Sequence, residues 1–175
     1  MSACGTTIDR ERHHDDAPIT LTDPIGPFTG EHRFLSNFWA CRVMLDGVMY
    51  PSVEHAYQAA KTDDIVARAR ICAAVSPGGA KHAGKSVHMR VGWEQAKMTV
   101  MARLLNEKFQ DPKLRGKLLA TRPRPLIELN YWGDRFWGVC RGQGENWLGK
   151  LLMFLRDGEC PGVDPGEFKK WLGNP

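Results

Sequence analysis

The sequence predicts an α+β fold, in which a mostly helical single domain carries a small antiparallel sheet. Three observations support this prediction. The chain has 175 residues, of which 42% are hydrophobic, so it can bury one core of ordinary size. Several stretches repeat apolar residues at the spacing of three to four that is typical of helices. The pair Asp46-Gly47 lies between two β-prone runs, which is the pattern of a hairpin turn.

Composition narrows the class of protein. The net charge of +4 suits a phosphate-bearing ligand, but no run of five basic residues marks a dedicated nucleic-acid binder. No apolar run is long enough for a membrane span, and the first residues lack the apolar core of a signal peptide. The five cysteines form no CxxC pair. We therefore expect a cytoplasmic protein with reduced cysteines, no membrane partner, no metal and no cofactor; the oligomeric state stays open.

The chain divides into a tail and one domain. Residues 1–24 are polar and mixed in charge, and we expect a poorly ordered tail there. Residues 25–175 form the single domain. It begins with aromatic residues that dock a loop onto the core, with a local turn at Ser36-Asn37. The hairpin over residues 41–50 then leads the chain into a first helix.

The first predicted helix covers residues 52–61. Pro51 suits a helix entry because it lacks an N–H donor and fixes φ, and the Ser52 hydroxyl can cap the first turn. With that start, four polar side chains share one face at i, i+3, i+4 and i+7. They are Glu54, Tyr57, Gln58 and Lys61. Two interpretations stay open: a solvated face with a Glu-to-Lys pairing, or the wall of a functional site.

Apolar spacing predicts further helices over residues 63–74, 93–109, 113–120 and 145–156, with a short one around 168–172. The helix over 63–74 is expected to turn Ile65, Ala69 and either Cys72 or Ala73 towards the core. Between the first two of these helices, residues 76–85 are rich in glycine and lysine. Their backbone amides suit a phosphate, although a plain surface loop explains the same composition.

Two candidate carboxylates, Glu128 and Asp134, lie in the C-terminal third of the chain. Residues 126–130 predict a strand in which Glu128 shares a face with Leu126, so Glu128 is a candidate buried carboxylate with a raised pKa. Residues 135–140 predict a second strand. We expect the two strands to form a hairpin that presents Asp134 near its end. Asn146 lies close to a helix start, where anions are favoured.

Together these stretches resemble the NADAR family, which includes the YbiA-like N-glycosidases. The matching elements follow one another in the family order over residues 28–156. They are Phe28-x-Gly30, residues 34–38, residues 50–61, Gly79-Ala80-Lys81-x-x-Gly84, Trp93 with Met98, Asp134-x-x-Trp137-Gly138, and Gly144-x-Asn146-x-Leu148-Gly149-x-x-Leu152-Met153. The segment between Glu128 and Asp134 is bulkier here than in many family members, which bears on substrate fit.

The resemblance implies cleavage of an N-glycosidic bond by the domain over residues 25–175. Two substrate classes are attached to the family: phosphoribosylamino-pyrimidine intermediates of riboflavin synthesis, and ADP-ribose attached to guanine in DNA. In both, ribose C1 is bonded to an exocyclic amine, and such a glycosylamine can open to an imine. We favour ADP-ribosylated guanine as the substrate and ADP-ribosylated DNA as a possible partner. The reason is that the loop at Gly78-Gly79 gives room beyond a single phosphate. The alternatives are the riboflavin intermediates and an ADP-ribose-binding module without turnover.

The resemblance also implies roles for individual residues. The expected catalytic residues are Glu54, Lys61, Asp134 and Glu128. The expected substrate-binding residues are Phe34, Ser36, Asn37, Tyr57, Gly79, Lys81, Trp93, Trp137, Gly138 and Asn146. Two mechanisms stay open: Lys61 attacks C1 and forms a Schiff base, or a carboxylate stabilises an oxocarbenium-like transition state. A binding module would not need both Glu54 and Lys61, so we favour an enzyme.

Overall fold

The computed structural model describes residues 23–160 and 162–173. The predicted fold class is confirmed, because the described chain is mostly helical and holds a small antiparallel sheet. A 3₁₀ helix covers Gly30–Leu35. The α-helices are α1 (Val53–Ala59), α2 (Ile65–Cys72), α3 (Pro77–Ala83), α4 (Trp93–Lys108), α5 (Pro112–Leu119), α6 (Trp147–Asp157) and α7 (Pro165–Leu172). The strands are β1 (Val43–Leu45), β2 (Val48–Tyr50), β3 (Leu129–Asn130) and β4 (Val139–Cys140).

The hairpin and the first helix form where the sequence predicts them. Strands β1 and β2 pair antiparallel, and the turn residues Asp46 and Gly47 both have positive φ, at 49° and 77°, as the tightest hairpin turns require. Ser52 caps α1 and its hydroxyl accepts from the His55 N–H. Every residue of α1 is buried, and the helix contacts α2, α3, α4 and β1. Since α1 runs through the core, its polar face is not a solvated face.

The inward face of α2 differs from the prediction. Ile65 is 78% exposed, whereas Ala67 and Ile71 are buried. The helix begins at Ile65 because the Asp64 carboxylate caps it, accepting from the N–H groups of Val66 and Ala67. The predicted start at residue 63 lies two residues earlier. The buried residues Ala67 and Ile71 each lie two positions after the predicted Ile65 and Ala69, and two residues correspond to about half a turn of a helix, so the wrong face was assigned to the core.

Most of residues 76–85 form helix α3 and not an irregular loop. The Ser76 side chain accepts from the Gly79 N–H and Pro77 occupies the first turn of α3, which is a regular start for a helix. The prediction of an irregular loop is therefore wrong, and the Gly79 amide already donates to the Ser76 hydroxyl. The lysine of this segment that matters for the site, Lys81, projects from the last turn of α3.

The two C-terminal strands do not form the predicted hairpin. Strands β3 and β4 pair in parallel, with Leu129 opposite Val139. The reason lies in the segment between them, where the Asn130 side chain donates to the Asp134 carbonyl and accepts from the Asp134 N–H. This closes a local turn, and the chain then needs residues 135–138 to return alongside β3. Helix α6 also begins later than predicted, at Trp147.

The remaining elements frame this core. Helices α4 and α6 contact each other, and α7 packs on α4, with Phe154 and Phe168 stacked at a centroid distance of 3.9 Å. Ile25 pairs with Leu126 as an isolated bridge. Within the described ranges, no helix has both the length and the apolar character to cross a membrane. The predicted tail over residues 1–24 falls almost wholly outside the described residues, which begin at residue 23.

Candidate active site

A cavity of about 500 Å³ opens beside α1. Its walls come from residues 27–38, from α1 and Lys61 two residues beyond its end, from α3, from residues 128–137, and from Met101 of α4 and Leu148 of α6. Nine of the fourteen predicted site residues line it. They are Ser36, Asn37, Glu54, Tyr57, Lys61, Lys81, Glu128, Asp134 and Trp137. Segments that are far apart in sequence therefore bring three carboxylates and two lysines to one cavity.

Five predicted site residues do not line this cavity. Phe34 is part of the hydrophobic core, at 4% exposure. Trp93 lies behind Tyr57, with the ring centroids 5.2 Å apart, so it supports a cavity wall. Gly79 sits against the Ser76 hydroxyl that caps α3. Gly138 packs against the Asn130 side chain and the Glu128 carbonyl, which leaves no room for a ligand.

Asn146 is the fifth of these residues, and its amide has a structural task. Its Oδ1 accepts from the Glu128 N–H at 3.0 Å, and its Nδ2 donates to the Leu126 carbonyl at 2.9 Å. The side chain thus pairs with the exposed backbone edge of the segment that carries Glu128. Since both ends of the amide are occupied, Asn146 fixes the backbone position of Glu128, and it lies outside the cavity lining.

Sequence reasoning missed several cavity residues. They are Arg33, Phe38, Gln58, Tyr131 and Trp132 among others. Gln58 shares the polar face of α1 with Glu54 and Lys61, so its spacing in the sequence already indicated a place in the site. Arg33 directly precedes the stretch matched to the family, and only its position hinted at a role. Tyr131 and Trp132 belong to the bulky segment between Glu128 and Asp134, which was expected to bear on substrate fit, but neither was predicted as a site residue.

Glu54 is buried in the floor formed by α1. It is 6% exposed, and its Oε1 accepts from Gln58 Nε2 at 2.8 Å. Burial raises the pKa of the Glu54 carboxyl, while the Gln58 hydrogen bond and the charges of Lys81 and Lys61 partly offset this rise. Its backbone N–H donates to the Asn37 carbonyl, which ties the 3₁₀-helix segment to α1.

Lys61 follows the end of α1 and is half-buried. Burial lowers the pKa of its ammonium group, and the charge of Glu54 only partly restores it. Its Nζ lies 5.6 Å from the Tyr57 ring centroid, and its carbonyl accepts from the Arg90 N–H at 2.7 Å. A lowered pKa increases the fraction of neutral amine, which is the form that attacks a carbon centre.

Two carboxylates from the C-terminal segment have different environments. Burial, followed by the charge of Asp134, raises the pKa of Glu128 to about 7. Asp134 Oδ1 accepts from the N–H groups of Phe136 and Trp137, at 3.0 and 2.9 Å. Paired carboxyl groups in unlike surroundings are the usual arrangement for dividing acid and base roles. Glu128 is therefore suited to give up a proton near neutral pH.

Unpartnered polar atoms concentrate in this cavity. Among the side chains of residues 23–160 and 162–173, the buried nitrogen or oxygen atoms without a hydrogen bond are Asn37 Oδ1, Gln58 Oε1 and Glu128 Oε2. All three belong to residues that line the cavity. Buried polar atoms are rarely left unpaired, so these residues around the cavity keep unused hydrogen-bonding capacity.

Gly84 supports the Glu54–Gln58 pair from behind, which leads to a prediction. A Cβ at position 84 would collide with the Gln58 carboxamide. We expect Gly84→Ala to displace Gln58, to lower the free energy of unfolding by about 1–3 kcal/mol as overpacking does, and to impair activity. Gly78→Ala is the matched control on the same helix, because its nearest neighbour would be 3.8 Å away. Chemical denaturation of both variants checks this; equal stability would contradict the packing role.

Known proteins resemble this chain over most of its length. The NADAR domain family model matches residues 26–158. N-glycosidase YbiA of Escherichia coli (strain K12) is 41% identical over 129 residues, which are 70% of this chain and 78% of that protein. A riboflavin biosynthesis protein of Vibrio vulnificus (strain YJ016) is 35% identical over 146 residues. That match covers 81% of this chain but only 38% of the Vibrio protein.

The fold is similar to a solved structure as well. The NMR structure of the E. coli protein YbiA superposes with a TM-score of 0.70 at 36% sequence identity. The match covers 79% of this chain and 86% of that chain. A chloroplastic riboflavin biosynthesis protein of Zea mays is 38% identical over 127 residues, and the match covers 20% of its length.

Proposed function

The chain belongs to the NADAR domain family, and from this premise we propose that it is an N-glycosidase that hydrolyses the bond between ribose C1 and an exocyclic amine. One observation carries the proposal: buried Glu54 and half-buried Lys61 line the same cavity as Glu128 and Asp134. A protein that only binds ADP-ribose needs cations for the phosphates. It gains nothing from burying a carboxylate with a raised pKa beside an amine with a lowered pKa.

In the first mechanism Lys61 is the nucleophile. The glycosylamine opens to an imine, and the neutral Lys61 Nζ adds to C1. Glu128, protonated, then gives its proton to the departing nitrogen, so the amine leaves and a Lys61 Schiff base remains. Water adds to that Schiff base while a carboxylate takes its proton. Collapse of the adduct frees the sugar aldehyde and restores the Lys61 amine.

In the second mechanism no bond to the protein forms. Glu128 protonates the departing nitrogen while the C1–N bond breaks, and the carboxylate of Glu54 or Asp134 stabilises the oxocarbenium-like transition state. Water attacks C1 and loses its proton to a carboxylate. Lys61 then binds a phosphate or hydroxyl group of the substrate. Both mechanisms give Glu128 the same task, because both need a proton on the leaving nitrogen.

This shared task predicts the pH dependence. The pKa of Glu128 is about 7, so its acid form is present below pH 7 and is lost as the pH rises through that value. We expect kcat/KM to fall above pH 7. Glu128→Gln should lower kcat/KM about a hundredfold at pH 6 and abolish that pH limb. The exposed control Glu107→Gln should keep the wild-type profile. A limb near pH 7 that persists in Glu128→Gln would assign it to another group.

For the substrate we favour ADP-ribosylated guanine in nucleic acid. A cavity of about 500 Å³ lies in the range of about 300–1,000 Å³ that holds small-molecule ligands. Arg33 and Lys81 at its walls supply cations for two phosphates, and in the second mechanism Lys61 adds a third cation. The alternative is a phosphoribosylamino-pyrimidine, and it is favoured by the names of the Vibrio and maize relatives. That substrate would use the same carboxylates and fewer of the cations.

The experiment offers both substrates to the wild-type protein. One reaction holds a DNA oligonucleotide with ADP-ribose on guanine, and the other holds a phosphoribosylamino-pyrimidine. Mass spectrometry follows the release of free ADP-ribose or ribose phosphate. Faster release from the oligonucleotide supports the favoured substrate, and faster release from the pyrimidine supports the alternative. Tight ADP-ribose binding with no release from either would leave a binding module and would overturn the enzyme.

A further inference from the structure

Two large aromatic side chains stand exposed at the mouth of the cavity. Tyr131 is 82% exposed and Trp132 is 65% exposed, yet both line the cavity. None of the catalytic steps above uses either ring. Large exposed aromatic rings at the edge of a binding site are stronger evidence of a binding surface than scattered exposed aliphatic residues. The two rings therefore indicate contact with a further part of a ligand.

The turn that carries these rings is held in place. The buried Asn130 side chain makes two hydrogen bonds to the backbone of Asp134, at 2.6 and 3.1 Å. The Asp134 carboxylate in turn accepts from the N–H groups of Phe136 and Trp137. Buried polar groups thus hold the two ends of the three-residue turn over residues 131–133 in place. A rigid turn loses little conformational entropy when a ligand contacts it.

Positive charge lies next to the exposed rings. Lys81 Nζ is 5.5 Å from the centroid of the Trp132 ring and 5.9 Å from that of Phe38. Arg33, which is exposed, lines the same cavity. Aromatic rings combined with cations are the recognition surface of single-stranded nucleic acids, whose bases stack and whose phosphates need positive charge. A purely apolar partner would gain nothing from these cations.

We propose that Trp132, with Tyr131 beside it, is a stacking platform for a nucleobase that neighbours the modified base in single-stranded nucleic acid. The proposal rests on the favoured substrate above. The modified nucleotide has to enter the cavity to reach Glu54 and Lys61, so its neighbours in the strand leave through the mouth. There they meet the exposed rings. A duplex would first have to unstack the target base, so single strands are the preferred form.

The first test measures binding without turnover. A fluorescein-labelled, unmodified single-stranded DNA oligonucleotide is titrated with wild type, Trp132→Ala and Trp132→Phe, and anisotropy gives Kd. Trp132→Ala should weaken binding about tenfold, and Trp132→Phe, which keeps a ring, should restore most of it. Val75→Ala, which removes an exposed apolar side chain outside the cavity, should leave Kd unchanged. Equal Kd for wild type and Trp132→Ala, or no binding by wild type, would overturn the platform.

The second test uses turnover to separate the platform from the chemistry. The ratio of kcat/KM for ADP-ribosylated oligonucleotide to kcat/KM for ADP-ribosylated guanosine is measured in wild type and in Trp132→Ala. The platform predicts that the ratio falls about tenfold in the variant, because only the oligonucleotide carries a neighbouring base. An unchanged ratio would overturn it. Oligonucleotide binding that depends on Trp132 without any release of ADP-ribose would instead overturn turnover of the favoured substrate and keep Trp132 as a surface that binds single-stranded nucleic acid.

Discussion

Replacing Glu54 by glutamine is expected to lower kcat about a thousandfold, in the range lost when a positioned acid–base group is removed. Glutamine keeps the shape of the side chain and its oxygen still accepts from Gln58 Nε2, which now lies 2.8 Å from Glu54 Oε1. The substitution removes only the negative charge and the ability to bind and release a proton. Steady-state kinetics on ADP-ribosylated guanosine measures the effect, and the exposed Glu107→Gln serves as the control with wild-type kcat.

The same variant has a stability signature. Burial raises the pKa of Glu54 in the folded protein above that in the unfolded chain. The ionised carboxylate therefore costs folding free energy, and this cost appears as the pH rises from the unfolded pKa through the folded one. Glu54→Gln lacks the ionisable group, so we expect its Tm at pH 7 to equal or exceed that of wild type. Full turnover by Glu54→Gln would contradict the catalytic role, and a Tm below that of wild type would contradict the stability prediction.

Lys61→Met is expected to lower kcat at least about a hundredfold if Lys61 is the nucleophile. The decisive readout is covalent trapping. Borohydride added during turnover should reduce the Schiff base, and mass spectrometry should find the sugar adduct on Lys61 in wild type and none in the variant. Lys85→Met is the control, since Lys85 is exposed and lies outside the cavity lining; it should keep wild-type kcat.

The alternative mechanism gives a different result for the same variant. If Lys61 only binds a phosphate or hydroxyl group, Lys61→Met should raise KM and leave kcat nearly unchanged. No adduct should then be trapped in wild type. Unchanged kcat and unchanged KM together would show that Lys61 takes part in neither substrate binding nor catalysis.

Local chemistry made one part of the site predictable. Pro51 and Ser52 set the start of α1 through capping, and the cap fixes which residues share a helix face. Glu54, Tyr57 and Lys61 could therefore be placed together from the sequence. Whether that face meets solvent or a cavity depends on the elements packed around α1. The sequence left that question open, and tertiary packing decides it.

Other parts of the site depend on partners that the sequence does not reveal. Asn146 carries an amide that suits a ligand and a backbone edge equally, and only the position of Leu126 and Glu128 shows which it meets. The predicted hairpin pairing of β3 with β4 was wrong for a related reason. A hairpin was expected from their closeness in sequence, but the Asn130 side chain closes the turn at Asp134 instead. Arg33 was missed because nothing local distinguishes it from a surface arginine.

The most direct test of the account is a crystal structure of the Glu54→Gln protein with ADP-ribosylated guanosine bound. We expect ribose C1 to lie in the cavity beside α1, about 3.5 Å from Lys61 Nζ or from the side chain at position 54, as reacting groups require. We also expect the departing nitrogen to lie next to Glu128. A ribose bound in that cavity with C1 out of reach of both side chains, or bound elsewhere on the protein, would contradict it.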